Sequence, residues 1–107
     1  MINNNADRIL SFIGLAKRAN MVLTGEEKVL SAIKSDKAHL IILSVDASER
    51  TAKTITDKCK FYNKDLIIFS DRFSLGKFTK KQYAVTIAVT DKNFADRILK
   101  LYNSQTL

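Results

Sequence analysis

The sequence predicts an α/β sandwich, in which helices cover both faces of a small, largely parallel sheet. Short apolar, β-branched stretches alternate along the chain with segments whose apolar residues recur at helical spacing. Alternation of this kind is typical of strands connected by crossing helices. The 107 residues include no proline and three glycines, which favours regular elements joined by short loops. We expect one domain over residues 1–107, a length sufficient to close a single hydrophobic core.

The first third of the chain predicts a helix, a short strand and a second helix. The asparagines at positions 3–5 offer an N-cap for a first helix that runs to about Ala19, and residues 21–23 form a strand. Thr24 and Glu27 then fit a capping box, which predicts Thr24 as the N-cap of the second helix.

The remaining elements follow the same alternation. The stretch HLIILSV has the continuous apolar pattern of a strand buried on both faces, and DLIIF is predicted to be another. Asp46 and Ser48 offer N-caps for a third helix between these strands. A short helix begins near Arg72 with Gly76 as its C-cap, and Asp91 caps a final helix after the strand AVTIAV. The apolar stripe of the third helix consists of Ala52, Ile55, Cys59 and Tyr62.

Charge is the most informative bulk property of the chain. Eighteen Lys and Arg against eleven Asp and Glu give a net charge of +7 and a pI of about 9.7, which suits a nucleic-acid-binding domain. Basic proteins also bind anionic membranes or acidic partners, so charge alone indicates an anionic partner without identifying it as nucleic acid. No apolar run is long enough to span a bilayer, and the N-terminus has no apolar segment of a secretory signal. A single cysteine excludes an internal disulfide, so we predict a cytoplasmic protein that does not bind membranes.

Residue types that usually carry catalysis or bind metals are scarce. One histidine and one cysteine do not form a zinc site by themselves, and no phosphate loop, nucleophile elbow or H-E-x-x-H motif is present. Cys59 on its apolar stripe is expected to be a buried, inert thiol, and His39 at a strand start is expected to be solvated. Asp46 ends a strand where α/β enzymes keep catalytic groups, but a helix cap is the simpler role. We predict a protein that is not an enzyme and has no metal, cofactor or small-molecule substrate.

The stretch TGEEKVL, residues 24–30, places a glycine and two glutamates at the start of the second helix. Gly25 removes a side chain where a ligand backbone could approach closely. The free N–H groups of the first helical turn favour an anion there. Glu26 and Glu27 also suit the positive end of the helix dipole, so helix capping and ligand recognition both explain this stretch.

Five segments carry a wider pattern from about Phe12 to Asp91: GLAKRAN, LTGEEKVLSAI, AHLIILSVDAS, ITDKC and SLGKFT. In this order they resemble the kink-turn RNA-binding ribosomal protein superfamily, of the L-seven-Ae and L-thirty-e type, and within it the small bacterial YlxQ-like branch. The resemblance implies a three-layer α/β/α fold around a mixed four-stranded sheet. It also implies that RNA binds at the start of the second helix together with the loop before the last strand.

The chain departs from this family at the start of the second helix. Better-known members follow the glycine with Thr-Asn-Glu and carry a Lys one turn later, and the Asn, Glu and Lys contact the sheared G·A pairs of a kink-turn. Aligned without gaps, this chain keeps Gly25 but has Glu27, Lys28 and Ser31 at those three positions. A carboxylate accepts from the N1–H and N2–H₂ edge of guanine but cannot donate to O6 or N7. Glu27 is therefore expected either to accept from a differently presented guanine or to cap the helix.

The segment GKFTKKQYA, residues 76–84, supplies the second part of the implied surface. Its lysines suit phosphate, and Gln82 can pair with a base edge. Tyr83 could stack on a base but is expected to pack inward. Lys17 and Arg18, at the end of the first helix, can contact phosphate as well as complement the helix dipole. We expect the basic residues to form one electropositive face near the second helix. The predicted RNA-binding residues are Lys17, Arg18, Gly25, Glu26, Glu27, Lys28, Lys77, Lys80, Lys81 and Gln82.

The sequence thus predicts a non-catalytic protein that binds structured RNA, of kink-turn or bulged form. The expected partner is ribosomal RNA or another structured RNA, and association with the ribosome is expected. Lysines would read the shape and phosphates of the RNA, and residues 25–28 would face its bases. The alternative is a protein-interaction adaptor that keeps the fold and has lost RNA recognition, as Glu27 and Ser31 suggest.

Overall fold

The computed structural model describes residues 4–104, in which helices cover both faces of a four-stranded sheet. This arrangement confirms the predicted α/β sandwich. The expectation of one domain over residues 1–107 extends beyond the described residues and stays a prediction. The elements are α1 (Asn5–Arg18), β1 (Val22–Thr24), α2 (Glu26–Lys34), β2 (Leu40–Leu43), α3 (Glu49–Phe61), β3 (Leu66–Ile68), α4 (Arg72–Thr79), β4 (Thr86–Val89) and α5 (Lys92–Ser104).

The sheet has the strand order β1-β4-β2-β3 and is mixed. In the described sheet, the only neighbouring strands that pair in parallel are β2 and β3, because β4 lies between β1 and β2 and runs antiparallel to both. The prediction of a largely parallel sheet is therefore wrong, and the mixed sheet implied by the resemblance is confirmed. A continuous apolar run indicates that a strand is buried on both faces, but it does not indicate the direction of the strand. Strand direction depends on where the chain re-enters the sheet.

Two hydrophobic cores lie on the two faces of the sheet. Helices α1, α4 and α5 pack on one face against alternate residues such as Ile42 and Ile87, and α2 and α3 pack on the other against Ile41 and Ala88. All four residues of β2 and of β4 are buried, as their apolar runs predict. The strand β3 is not fully buried as predicted, because it lies at the sheet edge and Ile68 is 51% exposed.

Several predicted helix caps are present. The Asn4 side chain accepts from the backbone of α1, and the Ser48 hydroxyl accepts from Thr51 N at 3.2 Å. Asp91 accepts from Phe94 N at 2.9 Å at the start of α5. Asn3, the first residue of the asparagine triplet, lies outside the described residues. These caps were predictable because each bond spans no more than one helical turn.

The predicted capping box at α2 is wrong. Thr24 is still part of β1 and pairs with Ile87, so it is held in the sheet rather than at the helix. The N-cap is Gly25, which has no side chain to accept a hydrogen bond. The N-cap position therefore moves by one residue, and the first-turn N–H groups of α2 have no side-chain cap.

The predicted C-cap at Gly76 is also wrong. Helix α4 continues to Thr79, and Lys80 adopts the left-handed conformation that ends it, with φ 60° and ψ 42°. Gly76 serves packing instead, because a Cβ there would lie 2.6 Å from Tyr83 Cα. The glycine lets the chain after α4 fold back closely over the helix.

Cys59 lies in the core between the sheet and α3 and is 2% exposed. Burial raises the pKa of its thiol to about 11, from a reference value of 9.0. The thiolate fraction at pH 8 is then lower by about a hundredfold. We expect the native protein to react with a maleimide at least about a hundred times more slowly than the urea-unfolded protein, as measured by mass spectrometry at pH 8. Equal labelling rates would show that the thiol is accessible in the native state.

Candidate nucleic-acid interface

A cleft of about 610 Å³ opens at one end of the sheet, where β1, β2 and β3 end and β4 begins. Its walls are formed by the starts of α2, α3 and α4 and by the loop at residues 81–85. Four of the predicted RNA-binding residues line it together: Gly25, Glu26, Lys81 and Gln82. Two separate segments of the sequence therefore meet at one site.

Gly25 forms the open corner of the cleft. Its φ of 96° and ψ of 141° lie in a region that residues with a Cβ rarely adopt. No atom beyond the two chain neighbours lies within 4 Å of the position that a Cβ would occupy, so this corner faces open space. Gly25 N donates to Thr86 O at 3.3 Å, which fixes the start of α2 against β4. A ligand backbone can therefore approach the first turn of α2 closely.

The side chain of Glu26 is held by two residues of α3. Its Oε1 accepts from the Thr51 hydroxyl at 3.1 Å, and its Oε2 lies 3.3 Å from Arg50 Nη1. The side chain of Glu26 is 30% exposed and that of Arg50 is 74% exposed. A pair this exposed stabilises the fold little. Its main effect at the cleft is electrostatic, because Arg50 offsets the negative charge of the Glu26 carboxylate.

Arg72 lines the cleft and was not predicted as a binding residue. Its Nε lies 3.4 Å from Asp46 Oδ2, its Nη2 donates to Asp46 O at 2.6 Å, and its backbone N–H donates to Asp46 Oδ1 at 3.2 Å. These contacts fix the guanidinium group before any ligand arrives. Asp46 is thus not a cap of α3, which is capped by Ser48. One sign of this role was present in the sequence, an arginine directly after a strand and turn. The residue that positions Arg72, Asp46, is 26 residues away in the sequence.

The ionisation of Asp46 supports this arrangement. Partial desolvation opposes ionisation, but the nearby Ser44 hydroxyl, the hydrogen bond from Arg72 N–H and the adjacent guanidinium hold the pKa of Asp46 below its ordinary value. The carboxylate is therefore charged at neutral pH and continues to position Arg72.

The loop after α4 presents three exposed side chains at the cleft, those of Lys81, Gln82 and Tyr83. Lys81 N donates to Gly76 O at 2.9 Å, and Ala84 N donates to Arg72 O at 2.9 Å, so both ends of the loop are fixed to α4. Tyr83 was expected to pack inward, but it is 55% exposed. It is the backbone of Tyr83 that lies directly against Gly76, and the residue lines the cleft.

Several predicted residues do not line the cleft. Glu27 and Lys28 are exposed on α2, and Glu27 lies in a shallow groove beside Ser31, outside the cleft. Lys77 is exposed on α4, and Lys80 is exposed at its end. None of these four predicted residues lines the cleft. Their roles in RNA binding stay predictions.

Lys17 and Arg18 lie at the opposite end of the sheet from the cleft. They end α1 just before β1 begins, whereas Gly25 follows the end of β1. Nearby, Met21 O accepts from Thr90 N at 2.9 Å, and Thr90 follows the end of β4. The structure therefore does not bring these two residues into one face with Lys81.

Comparison with known proteins identifies the family. Residues 7–99 match the Ribosomal protein L7Ae/L30e/S12e/Gadd45 family. The chain belongs to this family. It is 40% identical over 89 residues to the RNA-binding protein YlxQ of Bacillus subtilis strain 168, covering 83% of this chain and 89% of that one. It is 30% identical over 101 residues to the RNA-binding protein YlxQ of Enterococcus faecium, covering 94% and 97%.

Solved structures agree with this assignment. A protein of unknown function from Bacillus halodurans C superposes with a TM-score of 0.87 at 38% identity, over 90% of this chain and 97% of that one. The Giardia lamblia 15.5kD RNA binding protein superposes with a TM-score of 0.80 at 12% identity, over 97% and 90%, and so shares the fold. The predicted resemblance to the YlxQ-like branch is confirmed. Membership of this family supports the prediction that the chain is not an enzyme.

Neither a membrane span nor a metal site is found in the described part of the chain. Within residues 4–104, no helix is both long enough and apolar enough to cross a bilayer. The same residues contain no group of three or more His, Cys, Asp or Glu side chains placed to hold a metal ion.

Proposed function

We propose that this protein binds structured RNA and that the cleft beside Gly25 is its main contact. The observation that carries the proposal is the convergence of Gly25, Lys81, Gln82 and Arg72 on one cleft from three separate segments. The two YlxQ relatives described above, which are RNA-binding proteins, support the same partner.

Each group at the cleft has a defined chemical use toward RNA. Lys81 and the positioned Arg72 suit phosphate oxygens, and the open first turn of α2 offers backbone N–H groups. Gln82 can donate to and accept from the edge of a base. The exposed ring of Tyr83 can stack on an unpaired base. The cleft therefore suits a bent or bulged RNA, in which a nucleotide leaves the helical stack.

We further propose that the RNA is kink-turn-like and ribosomal. The family of ribosomal proteins to which the chain belongs supports this choice. Recognition would differ from that of better-known members, because Glu26 is held by Arg50 and Thr51 while Glu27 lies outside the cleft. Backbone groups, Arg72 and the loop would then do more of the recognition than the side chains of α2. The predicted cytoplasmic location agrees with a ribosomal partner.

Salt dependence tests the proposal and separates it from the adaptor alternative. We expect tight, salt-dependent binding of a kink-turn RNA and weaker binding of a plain duplex. Lys81→Gln and Arg72→Gln should each lower the slope of log affinity against log salt by about 0.7–0.9, because each removes a phosphate contact. Affinities would be measured by fluorescence anisotropy between 50 mM and 200 mM salt, values over which such slopes are resolved.

A matched control is Lys92→Gln. Lys92 begins α5, after the end of β4 and thus away from the cleft, and it pairs with Asp96 at 3.0 Å. This substitution removes the same charge and should leave the slope unchanged. If all three variants changed the slope equally, the RNA would be held by general charge rather than by the cleft. If the wild type showed no salt-dependent binding, the adaptor alternative would be favoured.

A further inference from the structure

Two exposed aromatic residues stand at the end of α3. Phe61 is 79% exposed and Tyr62 is 36% exposed, and their ring centroids lie 4.9 Å apart with an interplanar angle of 73°. The buried side of α3 is formed by other residues, including Ile55 and Cys59. Phe61 therefore lies largely outside the hydrophobic core, and with the more exposed part of Tyr62 it forms a small aromatic surface.

This surface lies at the end of the sheet opposite the cleft. Residues 62–65 lead into the start of β3, whereas the cleft lies where β3 ends. The Lys64 ammonium forms an ion pair with the carboxylate of Asp36, which lies in the turn before β2. This ion pair joins the segment after α3 to the turn after α2. A ligand bound at Phe61 would not compete for space with a ligand bound in the cleft.

Three lysines that have no ion-pair partner in the described part of the chain lie on the segment that carries the aromatic rings or on the turn joined to it. Lys58 and Lys60 lie in the last turn of α3, and Lys37 lies in the turn joined to it through Asp36. None of these three lysines pairs with a carboxylate among residues 4–104. Lys58 is three residues before Phe61, so both side chains lie on one side of the helix. The surface thus combines a flat apolar ring with cationic groups.

We infer that this surface is a second RNA contact, which binds an unpaired nucleotide segment. A base can stack on Phe61 while the adjacent phosphates contact Lys58 and Lys60, the combination used by proteins that bind single strands. Aromatic residues are enriched at protein–protein interfaces, but lysine is depleted there, and the three lysines, which pair with no carboxylate among the described residues, favour an anionic ligand over a protein. The inference does not require the cleft to bind RNA. If both surfaces are used, the protein connects two RNA segments from opposite ends of its sheet.

A short unstructured RNA tests this inference separately from the proposed function. The probe is a fluorescently labelled hexauridine, which has no helix for the cleft to recognise. We expect Phe61→Ala to weaken its binding by at least about fivefold, the effect of one lost base stack. Lys60→Gln should lower the salt slope by about 0.7. Phe73→Ala is the matched control, because Phe73 is also a largely exposed phenylalanine, 65% exposed, but lies at the start of α4.

The outcomes separate the two surfaces. Loss of binding with Phe61→Ala, but not with Phe73→Ala or Lys81→Gln, supports the inference. Loss with Lys81→Gln alone would place the oligonucleotide in the cleft and overturn the inference, leaving the proposed function intact. Ultraviolet crosslinking followed by peptide mass spectrometry should identify Phe61 or Tyr62, and crosslinks found only elsewhere would also overturn it. Self-association that is abolished by Phe61→Ala, without hexauridine binding, would assign the surface to a second copy of the chain.

Discussion

Replacing Gly76 with alanine should destabilise the protein by about 1–3 kcal/mol, although alanine is normally preferred inside a helix. A Cβ at Gly76 would lie 2.6 Å from Tyr83 Cα and 2.8 Å from both Tyr83 N and Lys81 O. These are backbone atoms, so rotating a side chain cannot relieve the contact. The loop after α4 must move away from the helix. Because that loop carries Lys81 and Gln82, affinity for a kink-turn RNA should fall as well.

Gly14→Ala is the control for this prediction. Gly14 is also a buried glycine inside a helix, but a Cβ there would meet only Phe78, at 3.4 Å from Cδ1 and 3.7 Å from the carbonyl oxygen. The gain in helix propensity, about 1 kcal/mol, should offset this contact. Urea denaturation would measure both variants. If Gly76→Ala unfolded at the same urea concentration as the wild type, the close approach of the loop would not matter to stability.

The parts of the fold that the sequence predicted well are determined locally. Apolar runs show that β2 and β4 are buried on both faces, because a run of that kind has no polar side to expose. The caps at Asn4, Ser48 and Asp91 follow from side chains that reach backbone N–H groups within one turn.

The wrong predictions depend on contacts between distant segments. The capping box at Thr24 competed with the pairing of Thr24 and Ile87, which are far apart in the sequence. Gly76 was interpreted as a helix end because glycine often ends helices, yet its role depends on the backbone of Tyr83. The direction of β4 depends on its insertion between β1 and β2, and its own residues do not encode that position.

The same distinction applies to the cleft. The family resemblance predicted two segments that meet there, through Gly25, Glu26, Lys81 and Gln82. It did not predict Arg72, whose position depends on Asp46 in another segment. The two neighbouring glutamates of α2 also differ in location, because the side chains of consecutive helical residues point about 100° apart. Glu26 therefore lines the cleft, while Glu27 lies in the groove beside Ser31.

Substitutions at Gly25 should reduce RNA affinity the most, and three variants separate the causes. Gly25→Ala, Gly25→Gln and Gly25→Glu all place a Cβ at a φ of 96°, so each should lose about 1–3 kcal/mol of stability through backbone strain. No atom beyond the two chain neighbours lies within 4 Å of that Cβ, so collision within the protein adds nothing to this cost. Differences among the three in RNA binding therefore report on the ligand side of the cleft.

The order of RNA affinity among these variants decides how Gly25 acts. Alanine should weaken binding least, glutamine more because its bulk occupies the path of the phosphate backbone, and glutamate most. The Gly25→Glu variant should bind a kink-turn RNA at least about tenfold more weakly than the Gly25→Gln variant. The reason is that a carboxylate near a phosphate costs about 1–4 kcal/mol of binding free energy in a partly solvated site. The difference in RNA affinity between these two variants should become smaller at 1 M salt, where charges are screened beyond about 3 Å. Equal affinities of the glutamine and glutamate variants at low salt would show that no phosphate passes Gly25. The proposed contact between RNA and the first turn of α2 would then be wrong.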